Sequence, residues 1–196
     1  MSGNGTMYKV NEIFFSLQGE GFWTGTPMVF VRLSGCNLKC PFCDTDHSGY
    51  REMSAEEIVA EARSLSPDCN RVCVTGGEPA LQLDAALVEA LHRAGYRIHV
   101  ETNGTKPLPE GVDWVTLSPK TDVPGLKGDG TVVLEKADEV KVVFLGQDVE
   151  EWAAFPAQAH FLQPCSCENT EETMNHIMRH PRWRLSLQTH KLLNIR

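Results

Sequence analysis

The amino-acid sequence predicts an α/β fold in which a mostly parallel sheet forms a partial, incomplete TIM-like barrel. Short β-branched runs alternate with helical stretches, and this alternation is typical of parallel sheets because a helix returns the chain after each strand. The predicted strands cover residues 28–33, 71–75, 97–101, 114–117, 139–144, 160–162 and 184–187. About six or seven strands are too few for a closed eightfold barrel, so we expect an open one.

Two helices are indicated by the residues that begin them. Ser54 and Glu57 form a capping-box pattern ahead of apolar residues that share one helical face. Asp84 begins a second apolar periodicity, which Gly95 ends. The second half of the chain is less regular, and residues 121–135, with one proline and several glycines, predict a mobile connection.

Polar residues recur at the carboxyl ends of the predicted strands. In an α/β sheet those ends converge on one edge, so we expect these groups to line a single pocket. The set comprises Arg32, residues 75–78, residues 101–103, residues 118–120, Gln163 and residues 188–190.

The composition is that of an ordinary globular protein. With 196 residues, 41% hydrophobic and 22% charged, we expect a single domain over residues 1–196 with residues 1–6 as a flexible leader. The net charge of -8 opposes a nucleic-acid-binding surface. No apolar run approaches the roughly 20 residues of a membrane span, and the first residues lack a signal-peptide pattern. We therefore expect a cytoplasmic protein with no membrane or nucleic-acid partner.

Three cysteines crowd into one loop directly after a predicted strand. Cys36, Cys40 and Cys43 are separated by three and two residues, and the total of seven cysteines is odd, which favours metal binding in a reducing compartment over disulfides. Three thiolates leave one iron of a 4Fe-4S cluster with open coordination. S-adenosylmethionine (SAM) can fill that position with its amino and carboxylate groups.

A structural zinc site is the alternative interpretation of the same loop. His47 follows Cys43 at a ligand spacing, so three thiolates and one imidazole could fix the loop of a binding module. Structural zinc closes all four positions, however, and would leave the polar strand ends without a purpose. Phe42 is either a shield for a cluster, a contact for an adenine ring or simply part of the core.

The cysteine spacing and the later run from Thr75 to Pro79, TGGEP, together resemble the radical SAM superfamily, whose GGE-type turn contacts the amino end of SAM. The chain is similar, more narrowly, to the 7-carboxy-7-deazaguanine synthases over residues 8–196. The motifs that carry this resemblance are NEIFFSLQGEG, CDTDH, TGGEP, ETNGT, SPK, QP and WRLSLQTHKLLNI.

The resemblance implies a lyase of queuosine and 7-deazapurine biosynthesis with the partial barrel of the radical SAM type. Its substrate would be 6-carboxy-5,6,7,8-tetrahydropterin, from which a 5'-deoxyadenosyl radical removes the hydrogen on carbon 6 before the ring contracts and ammonia leaves. The implied cofactors are a 4Fe-4S cluster, SAM, which is regenerated, and Mg2+. The implied partners are a flavodoxin or ferredoxin reductant and a second copy of the chain in a homodimer.

The resemblance also assigns residues to ligands. Arg32 would pair with the pterin carboxylate, and the terminal carboxylate of Arg196 would hold the base, although an arginine side chain at that place departs from the family. Thr45 would bind magnesium. The other implied substrate contacts are Leu17, Gln18, Gly19, Glu20, Thr75 and His190. The implied SAM contacts are Phe42, Cys43, Asp44, Gly77, Ser118, Pro119, Lys120, Gln163, Pro164, Cys165 and Ser166.

Some assignments stay open. Glu101 and Asn103 either position the substrate or close a turn, and no residue is assigned as the acid or base for ammonia loss. We expect the cysteines outside the triad to be structural bystanders. Another radical SAM activity, such as activation of a glycyl-radical enzyme, shares the triad and the GGE turn and remains an alternative.

Overall fold

A nine-stranded sheet organises the protein in a computed structural model that describes residues 5–43, 45–46 and 49–196. The strands are β1 (Tyr8–Leu17), β2 (Pro27–Leu33), β3 (Arg51–Met53), β4 (Arg71–Gly76), β5 (Arg97–Thr102), β6 (Trp114–Leu117), β7 (Glu139–Phe144), β8 (Ala159–Pro164) and β9 (Arg184–Leu185). Their order is β3-β1-β2-β4-β5-β6-β7-β8-β9. All neighbours from β2 to β9 pair in parallel, and β1 is antiparallel to both β2 and β3. The prediction of an open, mostly parallel sheet is confirmed.

The outer face of the sheet carries α1 (Ala55–Leu65), α2 (Ala85–Arg93), α3 (Glu150–Ala154) and α4 (Thr170–Arg179). A further helix, α5 (Thr189–Leu193), packs on the loop after β1 instead. Val29 and Val31 of β2 pack on Ile58 of α1 and Leu87 of α2 in the larger apolar cluster. None of the described helices is long and apolar enough to cross a bilayer.

Both predicted helices are confirmed with their caps. The Ser54 hydroxyl accepts from the Glu57 amide at 3.2 Å, and the Glu57 carboxylate accepts from the Ser54 amide at 2.8 Å. Asp84 accepts from the Leu87 amide at 3.0 Å, and Gly95 follows α2 with a φ of 82°. These local bonds explain why the sequence pattern located both helix starts.

The inner face of the sheet is sealed from below by the segment after β1. Leu17 ends β1 opposite Pro27, the first residue of β2, so residues 18–26 lie at the amino-terminal end of the parallel strands. There the Trp23 ring lies 5.4 Å from the Trp114 ring and 5.1 Å from the His99 ring. The segment therefore closes the lower opening that an incomplete barrel leaves.

The structure also differs from the predicted elements. Strand β1 was not predicted, because a register shift between Val10 and Glu12 interrupts its alternation of inward and outward side chains. The three residues of β3 were also missed, and β9 spans two residues where four were expected. Residues 121–135 contain no helix or strand, as expected, but their Lys127 forms a two-way main-chain bridge with Lys39 at 2.9 and 3.2 Å.

The capping box of α1 gives a direct stability test. Replacing Ser54 with Ala removes the hydroxyl that accepts from the Glu57 amide, so the free energy of unfolding should fall by about 1 kcal/mol. Chemical denaturation followed by circular dichroism measures this loss. Ser64→Ala, which removes an exposed hydroxyl near the end of the same helix, is the matched control and should change stability by less than about 0.5 kcal/mol. Equal losses in both variants would contradict the assigned cap.

Candidate active site

The carboxyl ends of the parallel strands surround an open cavity of about 280 Å³. Nearly every residue assigned to a ligand borders it: Leu17, Gln18, Gly19, Glu20, Arg32, Cys36, Cys40, Phe42, Cys43, Thr45, Thr75, Gly77, Ser118, Lys120, Gln163, Pro164, Cys165, Ser166, His190 and Arg196. Pro119 does not border the cavity, and Asp44 lies outside the described residues, as does His47. The expectation of one shared pocket at the strand ends is therefore met by the geometry.

The cysteine loop leaves the end of β2 and forms one wall of the cavity. The Cys43 amide donates to the Cys40 carbonyl at 3.1 Å, and the Leu38 amide lies 3.4 Å from the Cys36 sulfur. All three cysteines are free thiols, with Cys43 exposed and the other two half-buried. Burial raises the pKa of the Cys36 and Cys40 thiols, so a metal that binds them must displace their protons.

The donor set of this loop fits an iron–sulfur cluster. Among residues 5–43, 45–46 and 49–196, no three cysteine, histidine or carboxylate side chains converge closely enough to hold one metal ion. A cubane places each thiolate on its own iron, so its ligands need not converge on one point. Three soft thiolates on one loop, facing a cavity large enough to admit a chelating ligand, are compatible with such a cluster.

The glycine turn after β4 holds the cysteine loop through its backbone. The Gly77 amide donates to the Leu33 carbonyl at 3.0 Å, and the Glu78 amide donates to the Gly35 carbonyl at 2.9 Å. A Cβ atom on Gly77 would overlap the Gly35 carbonyl oxygen. The lack of a side chain here therefore makes room for the cysteine loop.

Glu78 of the same turn is a buried structural acceptor. Its carboxylate accepts from the Thr102 hydroxyl at 2.6 Å, the Asn103 amide at 2.7 Å and the Ala80 amide at 2.9 Å. The Asn103 side chain in turn donates to the Asn37 side chain at 3.2 Å. Glu78 and Asn103 thus connect the ends of β4 and β5 to the cysteine loop, which favours the turn-closing role for Asn103.

Two further turns complete the upper wall. After β6, the Lys120 ammonium donates to the Ser118 carbonyl at 2.6 Å and to its hydroxyl at 2.7 Å, and burial lowers the pKa of Lys120. After β8, Ser166 and Cys167 adopt positive φ angles of 50° and 64°. Such left-handed backbone is rare for residues other than glycine and commonly marks functional turns. The Asn169 side chain holds this turn by accepting from the Cys165 amide at 2.8 Å.

The floor of the cavity is a buried group of charges around Lys141 of β7. Its ammonium pairs with Glu20 and lies 3.7 Å from Glu101, and its side chain is only 4% exposed. The Gln18 side chain donates to Glu101 at 3.0 Å, and the Gln188 side chain donates to Glu20 at 2.9 Å. The floor thus joins the loop after β1 to β5, β7 and the segment before α5.

The charges on this floor are mutually stabilised. Burial alone would raise the pKa of Glu20, but the Lys141 ammonium, together with smaller contributions from Gln188 and His190, outweighs that effect and lowers it to about 2. Burial would likewise lower the pKa of Lys141, but Glu101, Glu20 and Glu139 outweigh it and raise that pKa. Sequence analysis missed Lys141, although a lysine in the middle of the apolar run EVKVVF was a usable signal.

Arg32 lies on the cavity wall and is already paired. Its Nε donates to Glu12 at 2.9 Å, and the Arg196 guanidinium contacts the other oxygen of Glu12 at 2.9 Å. Both guanidinium groups lie over the Phe14 ring, at 5.7 and 5.6 Å from its centre. The Arg196 carbonyl accepts from the Ser16 hydroxyl. Arg32 lies within β2, inside the strand predicted over residues 28–33, and it is both an ion-pair partner and a cavity residue.

Helix α5 packs directly on the loop after β1. The Thr189 amide donates to the Gly19 carbonyl at 2.9 Å, and a Cβ atom on Gly19 would overlap the His190 ring. The LQGEG and QTHK motifs are therefore in contact in this chain, and the glycine of the first makes room for the histidine of the second.

The fold and the three-thiolate loop define a radical SAM protein. Residues 30–127 match the sequence pattern of the Radical SAM superfamily, which is half of the chain. Enzymes of this superfamily use SAM and a 4Fe-4S cluster, and both groups fit the cysteine wall described above.

Individual relatives narrow the assignment. The chain is 56% identical over 190 residues to the 7-carboxy-7-deazaguanine synthase of Bacteroides thetaiotaomicron, covering 97% of this chain and 100% of that protein. It is 42% identical to the synthase of Burkholderia multivorans, covering 96% and 99% of the two chains. The solved structure of QueE from Escherichia coli matches with a TM-score of 0.78 at 29% identity, covering 92% and 93%. The chain belongs to the 7-carboxy-7-deazaguanine synthase family.

The contact between Gly77 and the cysteine loop can be tested by iron loading. In Gly77→Ala the new methyl group would push Gly35 away, and overpacking of this kind costs about 1–3 kcal/mol. We expect iron bound per chain after anaerobic reconstitution to fall below about half of the wild-type value. Gly49→Ala is the control, because no atom of the described residues, its chain neighbours aside, lies within 4 Å of the added methyl group. Wild-type iron content in a folded Gly77→Ala protein would refute the contact.

Proposed function

We propose that this chain converts 6-carboxy-5,6,7,8-tetrahydropterin to 7-carboxy-7-deazaguanine and releases ammonia. Its membership of the 7-carboxy-7-deazaguanine synthase family supports this reaction. The observation that carries the proposal is the shared cavity, in which Cys36, Cys40 and Cys43 border the same space as Arg32 and the floor around Lys141. A cofactor on the thiolates and a small anionic heterocycle on the floor would face each other there.

The cofactors supply the radical chemistry and the chain positions the partners. When bound, the cluster and SAM would supply the radical chemistry that begins with loss of the hydrogen atom on carbon 6 of the pterin. The cavity walls would hold both molecules in contact, so that the reacting atoms meet in a fixed orientation. The residues proposed to contact SAM are Phe42, Cys43, Gly77, Ser118, Lys120, Gln163, Pro164, Cys165 and Ser166. Asp44 and Pro119 belong to this set by their place in the motifs alone.

Arg32 is the proposed partner of the pterin carboxylate. A planar guanidinium can donate two parallel hydrogen bonds to a carboxylate, and Glu12 orients this one by accepting from its Nε. The remaining proposed substrate contacts line the floor and the side of the cavity. They are Leu17, Gln18, Gly19, Glu20, Thr75, His190 and Arg196.

Thr45 is the proposed protein ligand of Mg2+. It borders the cavity two residues beyond Cys43, and a hydroxyl oxygen is a hard donor that suits magnesium. A single protein oxygen would leave most of the coordination sphere to the substrate and water, as is common for this ion. Magnesium held in this way would orient the substrate and polarise its oxygen atoms.

Three features of the cellular context complete the proposal. A flavodoxin or ferredoxin would reduce the cluster, since a low-potential iron–sulfur centre needs a one-electron donor. A homodimer is supported by the exposed apolar side chains Leu192 and Leu193 of α5, 66% and 60% exposed. A cytoplasmic location is supported by seven free cysteines, which persist in a reducing compartment. The chain would act as one domain over residues 1–196, since one continuous sheet runs through it.

Product analysis tests the proposed reaction. The protein is reconstituted anaerobically with iron and sulfide, reduced in the presence of SAM, Mg2+ and the carboxypterin, and analysed by mass spectrometry. We expect 7-carboxy-7-deazaguanine from the wild type and none from Cys40→Ala. Cys167→Ala is the matched control and should keep wild-type turnover, because Cys167 does not border the cavity.

Two other outcomes would overturn the proposed reaction. Formation of 5'-deoxyadenosine without conversion of the pterin would favour another radical SAM activity, such as activation of a glycyl-radical enzyme. Binding of zinc without SAM cleavage would favour the structural-zinc alternative.

The magnesium assignment makes its own prediction. Changes around metal ligands cost about 10-fold to 100-fold in metal affinity, so loss of a direct ligand should cost at least as much. In Thr45→Ala, the Mg2+ concentration that gives half-maximal turnover should rise by at least about tenfold, with iron content unchanged. Thr45→Ser keeps the hydroxyl and should behave as the wild type. An unchanged magnesium dependence in Thr45→Ala would refute the assignment.

A further inference from the structure

The charged floor of the cavity is arranged in two levels. Glu20 and Glu101, with side chains 15% and 24% exposed, border the cavity and remain accessible to a ligand. Lys141, 4% exposed, pairs with both of them from the wall of β7. Each carboxylate also accepts from one neutral amide, Gln188 for Glu20 and Gln18 for Glu101. An ammonium group thus supports two carboxylates that face the ligand space.

Packing alone does not explain a lysine at this position. Its neighbours Val140 and Val142 join the outer apolar cluster with Leu117 and Leu162, a cluster to which Lys141 does not belong. Replacing a buried ion pair by apolar side chains is often neutral or stabilising, whereas an uncompensated buried charge costs about 3–5 kcal/mol. The carboxylates therefore offset the cost of burying the charge of Lys141. Packing does not explain why the carboxylates themselves lie on the cavity floor.

We propose that Lys141 is a positioning residue that keeps Glu20 and Glu101 as a pair of hydrogen-bond acceptors on the cavity floor, where they select a heterocycle with adjacent N–H donors. This inference rests on the proposed function and deepens it. An ionised carboxylate only accepts hydrogen bonds, whereas a protonated one also donates. The 2-amino-4-oxopyrimidine edge of a pterin presents two neighbouring N–H donors. A 2-oxo edge would instead place a carbonyl oxygen against the carboxylates.

The electrostatics of the floor support the same role. With Lys141 charged, the pKa of Glu20 is held at about 2, so this carboxylate stays ionised at any physiological pH. Burial is the largest influence on the pKa of Glu20 and raises it, and the Lys141 ammonium is the largest influence that opposes it, so loss of the lysine should shift this pKa upward. Glu20 would then be fully ionised, and act only as a hydrogen-bond acceptor, at high pH. It would become protonated as the pH falls through its raised pKa.

Other charged groups also face this floor. They are Glu101 of β5, Glu139 of β7, Cys73 of β4, Lys120 after β6 and His190 of α5. All of them are present in the wild type and in a Lys141 variant alike. The Lys141 charge lowers the pKa of Cys73 and of Glu139, so its removal alters these groups too, and Lys141→Arg, which keeps the charge, is the comparison that isolates the effect of that charge.

The test compares ligand affinity in the cluster-loaded enzyme with SAM bound. The probes are oxidised 6-carboxypterin and 6-carboxylumazine, which differ in the 2-amino and 2-oxo groups and are not turned over. For the wild type, affinity for 6-carboxypterin should be flat between about pH 5.5 and pH 7.5, well above the pKa of Glu20, and should exceed that for 6-carboxylumazine by about 100-fold.

Lys141→Met should change the profile and the selectivity together. Its affinity for 6-carboxypterin should fall by about 10-fold to 100-fold as pH drops across that window, the loss expected for one charge-assisted hydrogen bond. Its preference over 6-carboxylumazine should shrink to about tenfold or less. Lys141→Arg keeps the charge and should restore a flat profile, and Lys136→Met, an exposed lysine in the segment before β7, should match the wild type.

If Lys141→Met does not fold, a second variant allows the same test. Lys141→Met combined with Glu139→Gln removes one buried charge of each sign and leaves Glu20 and Glu101 in place, so the same profile can be measured. A flat profile with undiminished selectivity in either Lys141→Met protein would overturn the inference while leaving the proposed function intact. A wild type that binds neither probe would instead count against the proposed function.

Discussion

The buried contact between Lys141 and Glu20 joins the first loop of the chain to β7 across the interior of an open sheet, between residues 121 positions apart. An incomplete barrel has no closing strand pair, so another segment must seal its interior. Residues 18–26 do so from below, and the Gly21 amide secures them by donating to the Ser186 hydroxyl at 2.9 Å. The depth of the cavity depends on this contact, since removal of one partner of a buried pair costs about 3–5 kcal/mol.

The two functional walls of the cavity are held by different kinds of interaction. The cysteine loop is fixed by main-chain bonds from Gly77 and Glu78 to the end of β2, which tolerate no side chain at Gly77. The floor is fixed by charge, with Lys141 between Glu20 and Glu101. A rigid backbone suits a metal cluster whose ligands must keep their spacing, whereas acceptor groups on the floor suit recognition of a polar heterocycle.

Local patterns in the sequence predicted most of the fold and the cysteine wall, because these features depend on residues that lie close together in the sequence. The capping residues Ser54 and Asp84 and the three-cysteine loop are examples. Contacts between residues far apart in the sequence could not be predicted. The bulge in β1 interrupts its alternation of inward and outward side chains, and Glu20, the partner of Lys141, lies in a distant loop. The packing role of Gly77 was beyond local patterns for the same reason, since the atom that fills its empty side belongs to another strand end.

The proposed reaction requires a 4Fe-4S cluster that lies in the same cavity as the charged floor around Lys141. Anomalous diffraction at the iron edge, from crystals of the anaerobically reconstituted protein with SAM, locates that cluster directly. The account predicts one 4Fe-4S cluster bound by Cys36, Cys40 and Cys43, with SAM completing its coordination inside the cavity above Lys141. A single zinc ion held by four protein ligands, or a cluster bound outside the cavity, would contradict it.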